Sequence, residues 1–150
     1  MNNNDMSAKG GSTSGGNPVV HFEMPYEDKQ RAADFYTKAF GWKMQMLGEE
    51  MGNYIVVQTT ETDPVTKRPT TPGAINGGFY KKNPSANAPS IVIAVDDIHE
   101  AMKQVAEAGG KVLGGSKGDG TPDDIPGVGL YSGFIDTEGN KVALLQPKGM

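Results

Sequence analysis

Cysteine is absent from all 150 residues. With it go disulfides, thiolate nucleophiles and thiolate metal sites. Basic charge is scarce as well: 14 Lys and Arg stand against 18 Asp and Glu, for a formal net charge of −4. No basic field exists to hold a polyanion, so nucleic acid is not an expected partner. No apolar run nears the roughly 20 residues needed to cross a bilayer, so no membrane segment is expected either. Residues 1–17 lack the apolar stretch of a secretion signal. They are rich in Asn, Gly and Ser and read as a disordered tail. No cysteine and no signal together point to a cytoplasmic location.

What is present is a strand-plus-helix unit that occurs twice. The first copy runs from Val19 to Met24, continues as a helical pattern from Lys29 to Phe40, and ends at Gly41. The second runs from Ile91 to Val95, continues from Ile98 to Glu107, and ends at Gly109 and Gly110. Apolar residues fall at 32, 35, 36, 39 and 40 in one helix and at 98, 101, 102, 105 and 106 in the other. The register is the same, at a constant offset of 66. Two equal halves of this kind tend to enclose a pocket.

Alternation along the first strand sets Val20, Phe22 and Met24 on one face and His21 and Glu23 on the other. Pro25 is expected to stop it. Asp28 and Asp97 are the natural N-caps of the two helices. The stripe Ala32, Phe35, Tyr36, Ala39 and Phe40 is expected to bury against the sheet. Two strand-like segments follow, 42–47 and 54–59, and then a Pro-rich loop over 61–73 that suggests a flap or rim. Gly77 and Gly78 mark a close backbone approach or a bulge in the strand over 74–80. In the second half, Ile91, Ile93 and Val95 share the helix-packing face, while Ser90, Val92 and Ala94 share the opposite one. A Gly-rich loop over 114–127 reads as a mobile rim. It has neither the Lys-Ser/Thr pair of a phosphate loop nor the acidic spacing of a calcium loop. A tight turn at 137–140 joins the last two strands.

His21 and Glu23 are the leading polar candidates, with Cα atoms roughly 6.5–7 Å apart along the strand. A carboxylate at that range favours imidazolium. His21 would act as general base or acid and Glu23 would orient it. The plainer reading is a polar pair bonded to neighbouring strands. Trp42, Met44 and Met46 alternate on one face and Tyr54 opens the next strand. These residues line an apolar ligand cavity, or pack the core or a subunit contact. Ser90 faces the same side as His21, but no nucleophile-elbow pattern surrounds it.

Several stretches together resemble the vicinal oxygen chelate superfamily of glyoxalase I, bleomycin-resistance proteins and extradiol dioxygenases, in its glyoxalase-like branch. They are His-Phe-Glu-Met-Pro at 21–25, Ala-Asp-Phe-Tyr at 33–36 running to Phe-Gly-Trp at 40–42, and Val-Asp-Asp at 95–97. Ala-Gly-Gly at 108–110, Ile-Pro-Gly-Val-Gly at 125–129 and Asp-Thr-Glu-Gly-Asn at 136–140 complete the set. The resemblance implies an α+β fold over 18–148. Two βαβββ modules, 18–82 and 88–148, would form a curved mixed sheet, a cup with the helices on its outside. It also implies metal ligands on the first and last strands of each module. His21 matches the only retained ligand position. Ser90 and Ala143 fall at two others, and Asn76, Gly77 and Gly78 replace a clear Glu. No cofactor is therefore expected, and a divalent metal is the disfavoured alternative.

The expected function is small-molecule binding in the cup, with acid/base chemistry on a small carbonyl compound of the lyase or isomerase type. The alternative is a non-enzymatic protein that sequesters a ligand, as bleomycin-resistance relatives do. Relatives pair or swap modules between chains, which leaves a homodimer open.

Overall fold

The computed structural model describes residues 15–148, so most of the expected tail lies outside the described residues. Contacts divide the chain into two compact units. One spans Val20–Ser90, and the other takes Ile91 onward with the residues up to Val19.

The first half runs β1 (Val19–Tyr26), α1 (Lys29–Phe40), β2 (Lys43–Met46), β3 (Ile55–Gln58) and β4 (Asn76–Lys81). Its sheet order is β2-β3-β4-β1. β1 and β4 are parallel, and the other pairs are antiparallel. The second half runs β5 (Ser90–Ala94), α2 (Ile98–Glu107), β6 (Lys111–Gly114), β7 (Asp123–Ile125), β8 (Gly129–Ile135) and β9 (Lys141–Pro147). Here the order is β5-β9-β8-β6, with β7 on β8 and β5 parallel to β9. In both halves the first strand thus lies parallel beside the last. The architecture is α+β with mixed sheets.

Helix boundaries follow the sequence signals. Asp28 Oδ1 accepts from the Arg31 amide at 2.9 Å, and Gly41 closes α1 at φ 73°. Asp97 Oδ1 accepts from the Glu100 amide at 3.1 Å, and the Gln146 side chain adds a second cap on the Ile98 amide at 2.9 Å. α2 buries Ile98 and Ala101 against Ile93, Val95, Phe134 and Leu144, as its pattern predicts.

α1 departs from expectation. Ala33 is its buried residue, while Phe35 and Phe40 are 58% and 62% exposed. Tyr36 takes the inward position, stacked on Trp42 at 4.9 Å and 5.1 Å from Phe79. With that ring filling the interface, only the small Ala32 and Ala33 fit beside it. Phe35 and Phe40 are left edge-on along the helix flank, the former 4.9 Å from Tyr36.

Two further expectations change, and the segment 61–73 gains detail. Pro25 does not stop β1, which runs on to Tyr26. That ring is buried, and its hydroxyl donates to the Asn53 carbonyl at 2.6 Å. The segment 114–127 contains β7, paired to β8 through Asp123–Tyr131 and Ile125–Gly129. The loop over 61–73 is a pinned excursion. Thr62 bridges Pro69, and Asp63 Oδ1 accepts from the Val65 and Thr66 amides at 2.7 and 2.9 Å. Asn76 ties its base to the sheet. Its Oδ1 accepts from the Thr59 amide at 2.8 Å, and its Nδ2 donates to Thr62 Oγ1 at 2.8 Å. Asn76→Ala should cost about 2 kcal/mol in chemical denaturation, because two half-buried partners lose their bonds. Trypsin cleavage after Lys67 should quicken in the same variant.

Candidate functional site

β1 and β4 build the site by alternation. Phe22, Met24 and Tyr26 turn to α1 and join the core with Ile55, Val57 and Phe79. His21 and Glu23 therefore lie on the opposite face. The parallel register sets His21 beside Asn76 and Glu23 beside Gly78. On β3, Ile55 and Val57 are fully buried core residues, so Tyr54 and Val56 share the His21 face.

Tyr54 is what joins the two candidates. Its hydroxyl lies 3.1 Å from His21 Nε2 and donates to Glu23 Oε2 at 3.3 Å. The phenol lies across Gly78, where a Cβ would overlap its oxygen end. Next door, a Cβ on Gly77 would come within 2.5 Å of the Phe22 carbonyl and 2.6 Å of its ring. The paired glycines are thus a close approach on both faces of β4, and no bulge occurs there. Tyr80 follows on the same face as Gly78, and its hydroxyl donates to the Ala88 carbonyl at 3.0 Å.

Burial sets the electrostatics. It lowers the His21 pKa to about 4, so the imidazole is neutral at pH 7. This corrects the expected imidazolium. Glu23 reaches the ring through a hydroxyl rather than directly, and desolvation prevails. Burial likewise raises the Tyr54 pKa, reinforced by the Glu23 charge and hydrogen bond and then by Tyr80. Tyr80 is raised by burial and then by the Glu23 charge. Both phenols stay protonated.

The structure brings together His21, Glu23 and Tyr54. It does not bring Trp42 or Met44 to them. Both pack on the α1 side, Trp42 against Phe22 at 5.6 Å and Met44 against the buried cluster. Met44 faces the core because it pairs with the buried Val57. Ser90 opens β5, half-buried. The residues that sequence reasoning underused are Gly78 and Tyr80. The period-two pattern Asn76, Gly78, Tyr80 beside His21 and Glu23 carries that signal. In the second half, a cleft of about 510 Å³ opens among Val95, Asp124, Leu130 and Lys148. None of the expected site residues lines it.

The donor set does not fit the four-ligand metal site that the resemblance implies. His21 Nε2 already faces Tyr54, and both polar atoms of the Asn76 amide are bound to Thr59 and Thr62. On β9, Ala143 is buried beside Val92 and has no donor atom. Among the described residues, no three His, Cys, Asp or Glu side chains gather into a group able to hold a metal. The chemistry here is that of an imidazole, a phenol and a carboxylate in one chain. It can hold a polar ligand and relay a proton.

A family model for the glyoxalase/bleomycin resistance protein/dioxygenase superfamily matches residues 19–144. A glyoxylase-like domain-containing protein of Didymella fabae is 33% identical over 138 residues, covering 87% of this chain and 94% of that protein. Among solved structures, methylmalonyl-CoA epimerase of Mycobacterium tuberculosis aligns at a TM-score of 0.58 and 12% identity, over 86% of this chain and 87% of that one. A hypothetical protein of Bacillus halodurans aligns at 0.62 and 13%, over 89% and 96%. Methylmalonyl-CoA epimerase of Streptomyces coelicolor, in complex with 2-nitronate-propionyl-CoA, aligns at 0.61 and 13%, over 89% and 96%. At these identities the structural likeness speaks for the fold, while the sequence matches over most of the chain establish kinship. The chain belongs to the glyoxalase/bleomycin resistance protein/dioxygenase superfamily.

Proposed function

We propose that this protein binds a small carbonyl compound on the His21 face of β1 and β4 and moves a proton on it with the His21 imidazole. The observation that carries this reading is the chain His21–Tyr54–Glu23, buried enough to keep the ring neutral. A neutral imidazole can take a proton from carbon next to a carbonyl. The C–H electron pair moves into an enolate, and the proton sits on the ring until it returns to carbon or oxygen. A ring with a pKa near 4 is a weak base in the absence of ligand. The enolate formed beside it supplies the opposite charge that stabilises the imidazolium. Glu23 holds the hydroxyl that orients the ring. The methylmalonyl-CoA epimerases named above share the fold. They lend support to proton chemistry on this scaffold, with the substrate left to experiment.

The test is exchange of carbon-bound hydrogen for deuterium in D2O across a panel of small hydroxy ketones and hydroxy aldehydes, followed by NMR. The wild type should catalyse exchange on at least one. His21→Gln should lower that rate about 100-fold or more while its melting transition at pH 7 stays cooperative. An unchanged rate in His21→Gln removes the catalytic role. A probe that binds the wild type but never exchanges favours the ligand-sequestering alternative.

A further inference from the structure

We propose that Tyr54 is a positioning residue that holds His21 as the Nε2–H tautomer, making Nδ1 the nitrogen that takes up the proton. The proposal rests on the reading of His21 as the proton-handling group. It deepens that reading by naming the atom and the device that selects it.

The reasoning is a count of protons along one chain of atoms. An ionised carboxylate only accepts hydrogen bonds, and a tyrosine hydroxyl has a single proton. Tyr54 donates that proton to Glu23 Oε2 at 3.3 Å. The remaining partner of the same oxygen, His21 Nε2 at 3.1 Å, must then be the donor of its bond. A neutral imidazole has one N–H, so the proton is on Nε2 and the lone pair on Nδ1. The reverse arrangement would aim the phenol proton at Nε2 and leave its oxygen facing the carboxylate at 3.3 Å, acceptor against acceptor. The direction of the whole chain is therefore set at its far end, by the charge on Glu23.

The backbone enforces the same geometry. Gly78 is the register partner of Glu23 on β4, and the absence of its side chain is what admits the Tyr54 hydroxyl between the other two groups. Val56, the β3 residue paired with Gly78, follows Tyr54 on the same face. The phenol is thus placed by two strands at once, and its hydroxyl has little freedom to choose another partner.

The experiment is nitrogen NMR of the full-length protein, uniformly labelled with nitrogen-15, at pH 7. His99→Gln serves to assign the two histidine rings, since His99 is an exposed residue of α2. In wild type, His21 Nε2 should show the shift and couplings of a protonated, pyrrole-type nitrogen, and Nδ1 those of a pyridine-type one. In Tyr54→Phe and in Glu23→Gln, both nitrogens should move toward the averaged shifts of a tautomer mixture. A pyridine-type Nε2 in the wild type overturns the proposal, as does an unchanged tautomer in Tyr54→Phe. The exchange assay separates the two ideas. The expected tautomer with no loss of exchange in His21→Gln defeats the catalytic reading alone. The opposite tautomer with exchange abolished defeats this proposal alone.

Discussion

Replacing Gly78 by alanine should be among the most damaging single-methyl additions in the first half. The new Cβ would overlap the Tyr54 phenol, so the ring must swing off β4 and lose its contacts with His21 and Glu23 together. Overpacking of this kind costs roughly 1–3 kcal/mol. A lost hydrogen bond to a charged group adds roughly 1.5–3 kcal/mol. A loss of about 4 kcal/mol is therefore expected in urea denaturation. The same variant should abolish any exchange activity that depends on His21. A double-mutant cycle checks the cause. In a Tyr54→Ala background the added methyl meets no ring, and its cost should fall below about 1 kcal/mol. An equal cost in both backgrounds would mean that the methyl strains the β3–β4 ladder and not the phenol.

The second large effect is on stability against pH. His21 has a pKa of about 4 when folded, against an ordinary value of 6.5. The unfolded chain therefore binds more protons through this window, and stability falls as pH drops from about 6.5 to 4. The contribution is fully present above pH 6.5. With one proton involved, the slope approaches about 1.4 kcal/mol per pH unit, and the total approaches about 3 kcal/mol. Burial is the cause. Thermal or urea midpoints at half-unit steps should decline through the window in wild type. In His21→Gln they should be nearly flat down to about pH 4.5. The carboxyls of Asp63, Asp119 and Asp136 are held low by local hydrogen bonds and titrate below this range. A wild-type curve as flat as that of the variant would show that the ring is hydrated and ordinary.

Much of the fold could be read from residue spacing, and the reasons are local. The 66-residue offset, the caps at Asp28 and Asp97 and the Gly41 terminus each depend on a few neighbouring side chains. Strand alternation likewise placed His21 and Glu23 on one face, and the structure joins them there. What could not be read depended on distant partners. Nothing within α1 says that a tyrosine will fill the sheet contact and leave Phe35 and Phe40 outside. That outcome depends on Trp42, in the connection after α1, and on Phe79 of β4. Trp42 and Met44 alternate as a cavity wall would, yet the pairing of Met44 with Val57 turns that face to the core. The charge state of His21 was misjudged for a related reason. Separation along a strand predicts attraction to Glu23, whereas burial and the intervening hydroxyl of Tyr54 are three-dimensional facts. Tyr54 itself was singled out for its ring, and its oxygen proved to be the joint.

The pairing of first strand with last in each half has a bearing on synthesis. β1 leaves the ribosome without its parallel neighbour and waits for β4, just as β5 waits for β9. Until then its hydrogen-bonding edge is unpaired. Neither half can close by local contacts alone, so maturation is limited by long-range closure. A nascent chain halted before residue 141 would have the second helix but not Gln146 to cap it, and would offer β5 as an open edge for aggregation or for chaperones to hold.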